Sequence, residues 1–321
     1  MEFDIDELPY KVGGLLYTPA LNKKIASKLI SGSIKCITSL VFCLEDSIMD
    51  DNLEEAEEQL KTSLAELAHS DAELPLLFVR VRTPKHMAKI HEYLGSLENI
   101  LTGYVLPKFD LSNADEYISL ISEFNELREK RLYIMPILES KAVADIQKRV
   151  PIMEEIKHKL DAARQYILNV RVGGNDFSNM YGLRRNTEQT IYDIGVIRDI
   201  LVNIINVFAK DYVVSGPVWE YFGTKDTDKW AEGLRREISH DLINGFIGKT
   251  AIHPSQLPII FDSLKVSEDD YEDAKNIADW RSDGFAVAKG ADGGRMNEVK
   301  CHLKWAKKIL ICAKIYGVRK G

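Results

Sequence analysis

The chain has 321 residues, with 42 lysines and arginines against 49 aspartates and glutamates and a formal net charge of -7. Hydrophobic residues make up 45% of it and charged residues 28%, a globular composition that excludes disordered, collagen-like and low-complexity chains. The acidic balance argues against nucleic acid as the main partner. No apolar stretch approaches the roughly 18 residues of a membrane span, so no membrane partner is expected.

Eight short apolar runs are predicted β-strands. They cover residues 14–17, 40–44, 76–81, 104–106, 132–137, 166–172, 212–215 and 245–252. Most are continuously apolar, as strands buried on both faces should be. Amphipathic stretches between them predict helices, most clearly at 53–67, 194–208 and 230–242. Eight βα units in about 250 residues predict an α/β fold, a (β/α)8 TIM barrel over residues 1–262, with an open doubly wound sheet as the alternative.

The pattern changes after Pro254. Residues 267–281 predict a helix with an acidic first turn, which suits the positive end of the helix dipole. A glycine-rich joint at 289–294 and a basic helix at 297–316 follow. Residues 263–321 are therefore predicted to form a C-terminal helical extension that packs on the barrel, acts as a lid or reaches a neighbouring subunit.

The cysteines indicate the compartment. Cys36, Cys43, Cys301 and Cys312 are far apart and form no C-x-x-C pair, which favours a reducing compartment over a disulfide framework or a structural zinc site. The first ten residues are acidic and lack an apolar run, so the sequence predicts no signal peptide and a cytoplasmic location.

Charged residues cluster where the apolar runs end. The carboxyl ends of barrel strands meet at one mouth, so these side chains are expected to converge there. They are Glu45 and Asp46 after the second run, Arg80 and Arg82 around the end of the third, Lys108 after the fourth, Glu139 after the fifth, and Asn175 and Asp176 after the sixth. The competing interpretation is that each charge is the first solvated residue after a buried strand.

Glu139 and Asp176 are the candidate metal ligands. Mg²⁺ takes one or two protein carboxylates and leaves its other positions to water and substrate oxygens, so two carboxylates from neighbouring strands suffice. Gly173 and Gly174 would let backbone and ligand approach closely. The alternative role of Asp176 is to cap the next helix.

Each cation at the mouth has more than one interpretation. Arg80 lies inside an apolar strand and suits bidentate capture of a substrate carboxylate, or a structural ion pair with Glu45 or Asp46. Arg82 is expected on the same face and in either role. Lys108 is a candidate contact for phosphate or carboxylate, an ion-pair partner or a Schiff-base nucleophile.

The strand-end residues also resemble those of a known family. The matching segments run in order along residues 13–260. They are Leu15-Leu16-Tyr17-Thr18-Pro19-Ala20, Leu44-Glu45-Asp46-Ser47, Val79-Arg80-Val81, Gly103-Tyr104-Val105-Leu106-Pro107-Lys108, Pro136-Ile137-Leu138-Glu139-Ser140, Gly173-Gly174-Asn175-Asp176-Phe177 and Ile252-His253-Pro254-Ser255-Gln256. In these segments the chain resembles the citrate lyase β-subunit-like family, of the superfamily that includes malyl-CoA lyases and metal-dependent pyruvate aldolases.

The resemblance implies a Mg²⁺-dependent carbon–carbon lyase, with Mn²⁺ as a substitute metal. It assigns the metal to Glu139 and Asp176 and the substrate carboxylate or acyl carbonyl to Arg80, with Glu45 and Asp46 supporting the site. It implies small carboxylate substrates, β-hydroxy or 2-oxo acids, or their CoA thioesters. It also implies a homo-oligomer, most often a trimer.

The chain departs from the family pattern at four places, one of which is Trp219-Glu220 after the seventh run. Cys43 stands where relatives commonly have aspartate, and Arg82 stands where they have asparagine. The catalytic aspartate of the C-terminal segment is missing, and Glu298 is the candidate to replace it. These departures resemble those of a divergent bacterial branch associated with tellurium-resistance-type operons.

Three functions follow as hypotheses. The first is a Mg²⁺-dependent lyase or aldolase that works through a metal-stabilised enolate. The second is a Schiff-base aldolase that uses Lys108, and the third is a non-catalytic barrel that acts as a binding or scaffold subunit. Under the first, the candidate catalytic residues are Arg80, Glu45, Asp46 and Glu298, and the candidate substrate-binding residues are Arg80, Lys108, Arg82, Gly174 and Asn175.

Overall fold

The computed structural model describes residues 7–280 and 286–319. The chain divides into two compact units, Val12–Ile260 and a second unit formed by Met1–Lys11 with Phe261–Gly321. The sequence places the division two residues later, at 262/263, and assigns the N-terminal residues to the barrel. They group instead with the C-terminal segment, where Lys314 Nζ donates to Glu7 at 2.7 Å. Residues 1–6, on which the signal-peptide prediction partly rests, lie outside the described residues.

The larger unit is built on eight parallel strands. They are β1 (Gly14–Pro19), β2 (Ser39–Cys43), β3 (Leu76–Arg80), β4 (Gly103–Leu106), β5 (Tyr133–Leu138), β6 (Val170–Val172), β7 (Val214–Ser215) and β8 (Lys249–Ala251). Neighbours pair in the order β7-β6-β5-β4-β3-β2-β1-β8. A parallel bridge between Gly216, just after β7, and Lys249 joins the two outer strands. The sheet therefore closes on itself, which confirms the TIM barrel and excludes the open doubly wound sheet.

Of the helices, one precedes β1 and the others follow the barrel strands along the chain. They are α1 (Leu8–Lys11), α2 (Ile25–Ile30), α3 (Leu53–Ala68), α4 (Pro84–Leu94), α5 (Ala114–Asn125), α6 (Lys141–Ala144), α7 (Arg149–Ala162), α8 (Gly174–Met180), α9 (Gly195–Phe208), α10 (Lys229–Ile243) and α11 (Leu257–Ser263). The predicted helices at 53–67, 194–208 and 230–242 are confirmed as α3, α9 and α10, within one residue at each end. Their apolar stripes are buried, in α9 through Ile197, Leu201 and Ile204.

β6 and β8 are the strands that fall furthest short of their predicted apolar runs, while β3 is shorter by one residue and β7 by two. The run at 245–252 contributes only β8 because Gly245 and Gly248 have φ angles of 98° and 77°, in the left-handed region that turns the chain before the strand. In the run at 166–172, Arg164–Tyr166 forms a 3₁₀ turn, so β6 begins at Val170.

The second unit contains α1 together with β9 (Val266–Ser267), α12 (Glu268–Ala278), β10 (Val287–Lys289), β11 (Met296–Glu298), α13 (Val299–Tyr316) and β12 (Val318–Arg319). Both helices predicted in this segment are present, and Arg281, the last residue of the first, lies outside the described residues. The glycine-rich joint forms the turn between β10 and β11, which pair antiparallel. Ala274 and Ile277 of α12 pack against Ala306 of α13 in the small core of this unit.

Among residues 7–280 and 286–319, no helix combines the length and the apolar character needed to cross a membrane.

Candidate active site

A cavity of about 360 Å³ lies at the carboxyl ends of the barrel strands. It is lined by residues at the ends of β1, β2, β3, β5, β6 and β8, so the barrel brings together strand ends that are far apart in sequence. Of the predicted site residues, the lining includes Asp46, Arg80, Glu139, Gly174, Asn175 and Asp176. Glu45 and Lys108 are bonded to residues of the lining, Glu45 to Arg80 and Lys108 to Glu139.

Two carboxyl groups form the acidic centre of the cavity. Glu139 follows β5 and is 5% exposed, and Asp176 lies in the first turn of α8. Burial raises the pKa of Glu139 to about 8, and the neighbouring Asp176 carboxylate, within hydrogen-bonding reach, adds to the shift. The backbone N–H of Lys108 donates to Glu139 Oε1 at 2.8 Å, and this hydrogen bond lowers the pKa of Glu139 and so offsets part of the increase. Glu139 therefore holds a proton more readily than an ordinary glutamate does.

This donor set fits a hard divalent cation. The buried Glu139 carboxyl and the half-buried Asp176 carboxyl repel each other when both are charged, and a cation between them would replace the proton on Glu139. Within residues 7–280 and 286–319, no group of three or more histidines, cysteines and acids is placed to hold a metal. A site with only two protein carboxylates suits Mg²⁺, which leaves its other positions to water and ligand oxygens, and does not suit a closed zinc site.

Gly173 makes room for the Glu139 side chain. A Cβ atom at Gly173 would lie 2.0 Å from Oε2 and 2.4 Å from Cβ of Glu139. The glycine is therefore required by the packing of a metal-ligand candidate, whereas the sequence suggests that it makes room for the ligand itself.

Arg80 ends β3 and has acidic partners on the loop after β2. Its guanidinium lies 3.1 Å from Glu45 Oε2 and 3.3 Å from Asp46 Oδ2. Its Nε and Nη2 also contact Cys43 Sγ, at 3.3 and 3.1 Å. The arginine lines the cavity and is held in an ion pair at the same time, so the two interpretations of Arg80 coexist.

Lys108 braces the acidic residues. Its Nζ donates to Glu45 Oε1 at 2.7 Å, and this hydrogen bond raises the pKa of Lys108. Its φ of 49° is unusual for a residue other than glycine. A Schiff-base nucleophile needs a lowered pKa and access to substrate. The ion pair and the absence of Lys108 from the cavity lining both argue against that role.

Arg82 and Glu298 have other surroundings. Arg82 donates to the carbonyl oxygens of Leu44 and Ile48, both at 2.7 Å, and pairs with Asp50. It therefore braces the connection after β2 and does not line the cavity. Glu298 belongs to the second unit, where its backbone N–H donates to His302 Nδ1 at 3.0 Å. Its catalytic role stays a prediction.

One charged residue of the cavity lining is not among those predicted from the sequence. Arg171 lies in the middle of β6, is 1% exposed and lines the cavity. Arg171 lies between Val170 and Val172, and a charged residue inside an apolar strand is the same signal that identifies Arg80. The sequence alone could therefore have predicted Arg171 as a site residue.

The chain matches one protein family. The family model described as C-C bond lyase of the TIM-barrel fold matches residues 6–318. Comparison with curated proteins finds no match.

Several solved structures share the fold. A citrate lyase from Burkholderia xenovorans has a TM-score of 0.67 and 14% sequence identity, over 96% of this chain and 93% of that one. The protein CitE from Mycobacterium tuberculosis, in complex with magnesium, acetoacetate and coenzyme A, has a TM-score of 0.62 and 17% identity, over 95% and 99%. The citrate lyase β subunit of M. tuberculosis, complexed with oxaloacetate and magnesium, has a TM-score of 0.52 and 18% sequence identity, over 78% of this chain and 96% of that one. At these identities the similarity shows a shared fold.

Proposed function

Since the chain belongs to the C-C bond lyase family of the TIM-barrel fold, we propose that it is a Mg²⁺-dependent carbon–carbon lyase or aldolase. Its substrate is a small β-hydroxy acid, 2-oxo acid or acyl-CoA thioester, which it cleaves to leave an enolate. The observation that carries the proposal is the Glu139–Asp176 carboxyl pair, which lines a cavity together with Arg80.

The ligands of structures with a similar fold support this substrate class. One holds magnesium with acetoacetate and coenzyme A, and another holds oxaloacetate and magnesium. Both acids carry a carboxylate and a carbonyl group. For the present chain they support Mg²⁺, with Mn²⁺ as a substitute, and a CoA thioester as one form of the substrate.

Glu139 and Asp176 would hold the metal. When bound there, Mg²⁺ supplies positive charge to the oxygen that becomes negative as the carbon–carbon bond breaks. The Lys108 N–H, bonded to Glu139, fixes one of the two carboxylates in position. The arrangement is thus set before substrate arrives, which is what electrostatic stabilisation of an enolate requires.

Arg80 would bind the substrate carboxylate or acyl carbonyl. Glu45 and Asp46 hold its guanidinium, so its direction is fixed without substrate. Gly174 and Asn175 line the same cavity and would contact the substrate beside the metal. Four expectations stay predictions: catalysis by Glu298, a homo-oligomer with a trimer favoured, a cytoplasmic location and the tellurium-resistance association.

Metal binding tests this proposal by calorimetry. Wild-type protein is expected to bind Mn²⁺ and Mg²⁺, and to bind them more tightly when pyruvate or oxaloacetate is present. Glu139→Gln removes a charged ligand and is expected to weaken binding by more than about 100-fold. Glu154→Gln, which changes an exposed carboxylate of α7, is the matched control and is expected to leave it unchanged.

The metal affinity also has an expected pH dependence. The metal must displace the proton that Glu139 holds below its pKa of about 8. Affinity is therefore expected to rise from about pH 6 to about pH 8. A wild type that binds no metal at any pH, or a Glu139→Gln variant with wild-type affinity, contradicts the proposal and favours the non-catalytic scaffold.

A further inference from the structure

Arg171 is a buried cation without an acidic partner. Its Nη2 donates to Thr250 Oγ1 at 2.7 Å, Nε and Nη1 meet no acceptor with good hydrogen-bond geometry, and the Tyr17 hydroxyl is the other polar neighbour of the guanidinium. Arg149 and Arg185, the other two buried arginines of the part of the chain that the structure describes, each pair with a carboxylate, Asp199 at 2.6 Å and Glu237 at 3.0 Å. Arg171 forms no ion pair of this kind within the described residues.

Such a group is costly to bury. Removing a guanidinium from water is unfavourable unless an anion or several acceptors replace the water. Burial accordingly lowers the pKa of Arg171, against the opposing effect of Tyr17. A strand position that served packing alone would be filled equally well by an apolar residue, so the cost points to a use for the charge.

The position of Arg171 gives that use. It lines the cavity that also contains Arg80, Glu139 and Asp176. Arg80 lies with its guanidinium carbon 5.2 Å from the ring centre of Tyr17, and Tyr17 is also a neighbour of Arg171. Arg80 already has two carboxylate partners, whereas Arg171 has none within the described residues.

We propose that Arg171 binds a second carboxylate of the substrate, which makes the substrate a dianion. This inference rests on the proposed function, which places the reacting end of the molecule beside Glu139 and Asp176. The far carboxylate would occupy the side of the cavity at Arg171, with the hydroxyl of Thr250 beside it. A guanidinium suits the planar, two-oxygen geometry of a carboxylate. Arg171 is thus a specificity-determining residue that selects oxo or hydroxy dicarboxylates over monocarboxylates.

Binding of matched mono- and dianions tests the proposal. In Mg²⁺ the probes are pyruvate against oxaloacetate and 2-oxoglutarate, two dianions of different length. In EDTA they are acetate against malonate and succinate. Wild-type protein is expected to bind at least one dianion about 10-fold or more tightly than the monoanion, since a hydrogen bond to a charged group contributes that much. Arg171→Met is expected to abolish this preference while Mn²⁺ affinity stays unchanged.

Two further variants separate the site from global effects. Arg131→Met removes an equal charge from an exposed position and is expected to retain the dianion preference. Arg171→Lys retains the charge at the site and is expected to keep part of the preference for dianions. If Arg171→Met does not fold, the mono- and dianion affinities of Arg171→Lys test the proposal instead.

The outcomes distinguish this inference from the proposed function. A wild type without dianion preference in either buffer overturns the inference whatever the variants do, as does a preference that survives in Arg171→Met. Equal weakening of mono- and dianions together with Mn²⁺ also overturns it, because that marks a structural role. If no metal binds but malonate or succinate binding in EDTA depends on Arg171, the inference stands and the proposed function fails.

Discussion

Gly173→Ala is expected to abolish binding of Mg²⁺ and Mn²⁺. The new methyl group would lie 2.0 Å from Glu139 Oε2 and 2.4 Å from Glu139 Cβ, far inside contact distance. Glu139 cannot relieve this steric overlap by a small shift, since its Cβ is fixed to the backbone and its Oε1 accepts a hydrogen bond from the Lys108 N–H. The carboxylate must rotate out of the site, so metal affinity is expected to fall by at least about 100-fold.

Gly195→Ala is the matched control. Gly195 begins α9, and a Cβ atom there would meet nothing within 4 Å. This variant is expected to bind metal as the wild type does and to be no less stable, because alanine suits a helix better than glycine. Calorimetry with Mn²⁺ compares the two. Wild-type affinity in Gly173→Ala would show that Glu139 is not a ligand in the position that the structure gives it.

Lys249→Met is expected to cost about 3–5 kcal/mol of unfolding free energy. Lys249 lies in β8, is 1% exposed, and its Nζ is 2.9 Å from Glu237 Oε1 and 2.7 Å from Asp241 Oδ2. Both acids lie on α10 and are themselves buried. Without the lysine, two buried carboxylates lose a cationic partner, and that loss is the physical reason for the cost.

The loss of unfolding free energy in Lys249→Met is expected to depend on pH. Burial raises the pKa of Asp241 even with Lys249 present, so the folded state binds a proton there more readily than the unfolded state does. Removing the lysine strengthens this effect, and the deficit is expected to be larger at pH 8 than at pH 5, where protonation relieves it.

Lys229→Met serves as the control in urea denaturation. Lys229 begins the same helix and pairs with Glu188 at 2.7 Å, but its side chain is 74% exposed. Exposed ion pairs contribute little, so this variant is expected to match the wild type. If Lys249→Met loses no more stability than Lys229→Met, the buried cluster does not hold β8 to α10.

The barrel and the strand-end positions could be predicted from the sequence because they depend on local patterns. Apolar runs that recur with amphipathic stretches between them leave few folds, and parallel strands bring their carboxyl ends to one side. The positions of Glu139, Asp176 and Arg80 at strand ends therefore identify them as neighbours. The sequence leaves open whether Arg80 pairs with acids or with substrate, because both choices need the same residue.

The supporting contacts could not be predicted because they depend on three-dimensional packing. Nothing near Lys108 in the sequence signals its positive φ, which accompanies the N–H bond to Glu139. The role of Gly173 depends on a side chain 34 positions earlier in the chain, at Glu139. From the sequence alone, Lys249 resembles a solvated strand residue. In the structure it contacts two acids of α10.

Proton exchange at a 2-oxo acid reports directly on metal-dependent enolate formation in this cavity. Enolate formation on pyruvate in D₂O replaces its methyl hydrogens with deuterium, and proton NMR follows that loss. We expect wild-type protein with Mg²⁺ to exchange them faster than Mg²⁺ alone. We also expect EDTA to stop the exchange, and Glu139→Gln to lack it while Glu154→Gln retains it. Exchange at the background rate with both pyruvate and oxaloacetate, or exchange that persists in EDTA and in Glu139→Gln, would contradict a metal-dependent lyase site in this cavity.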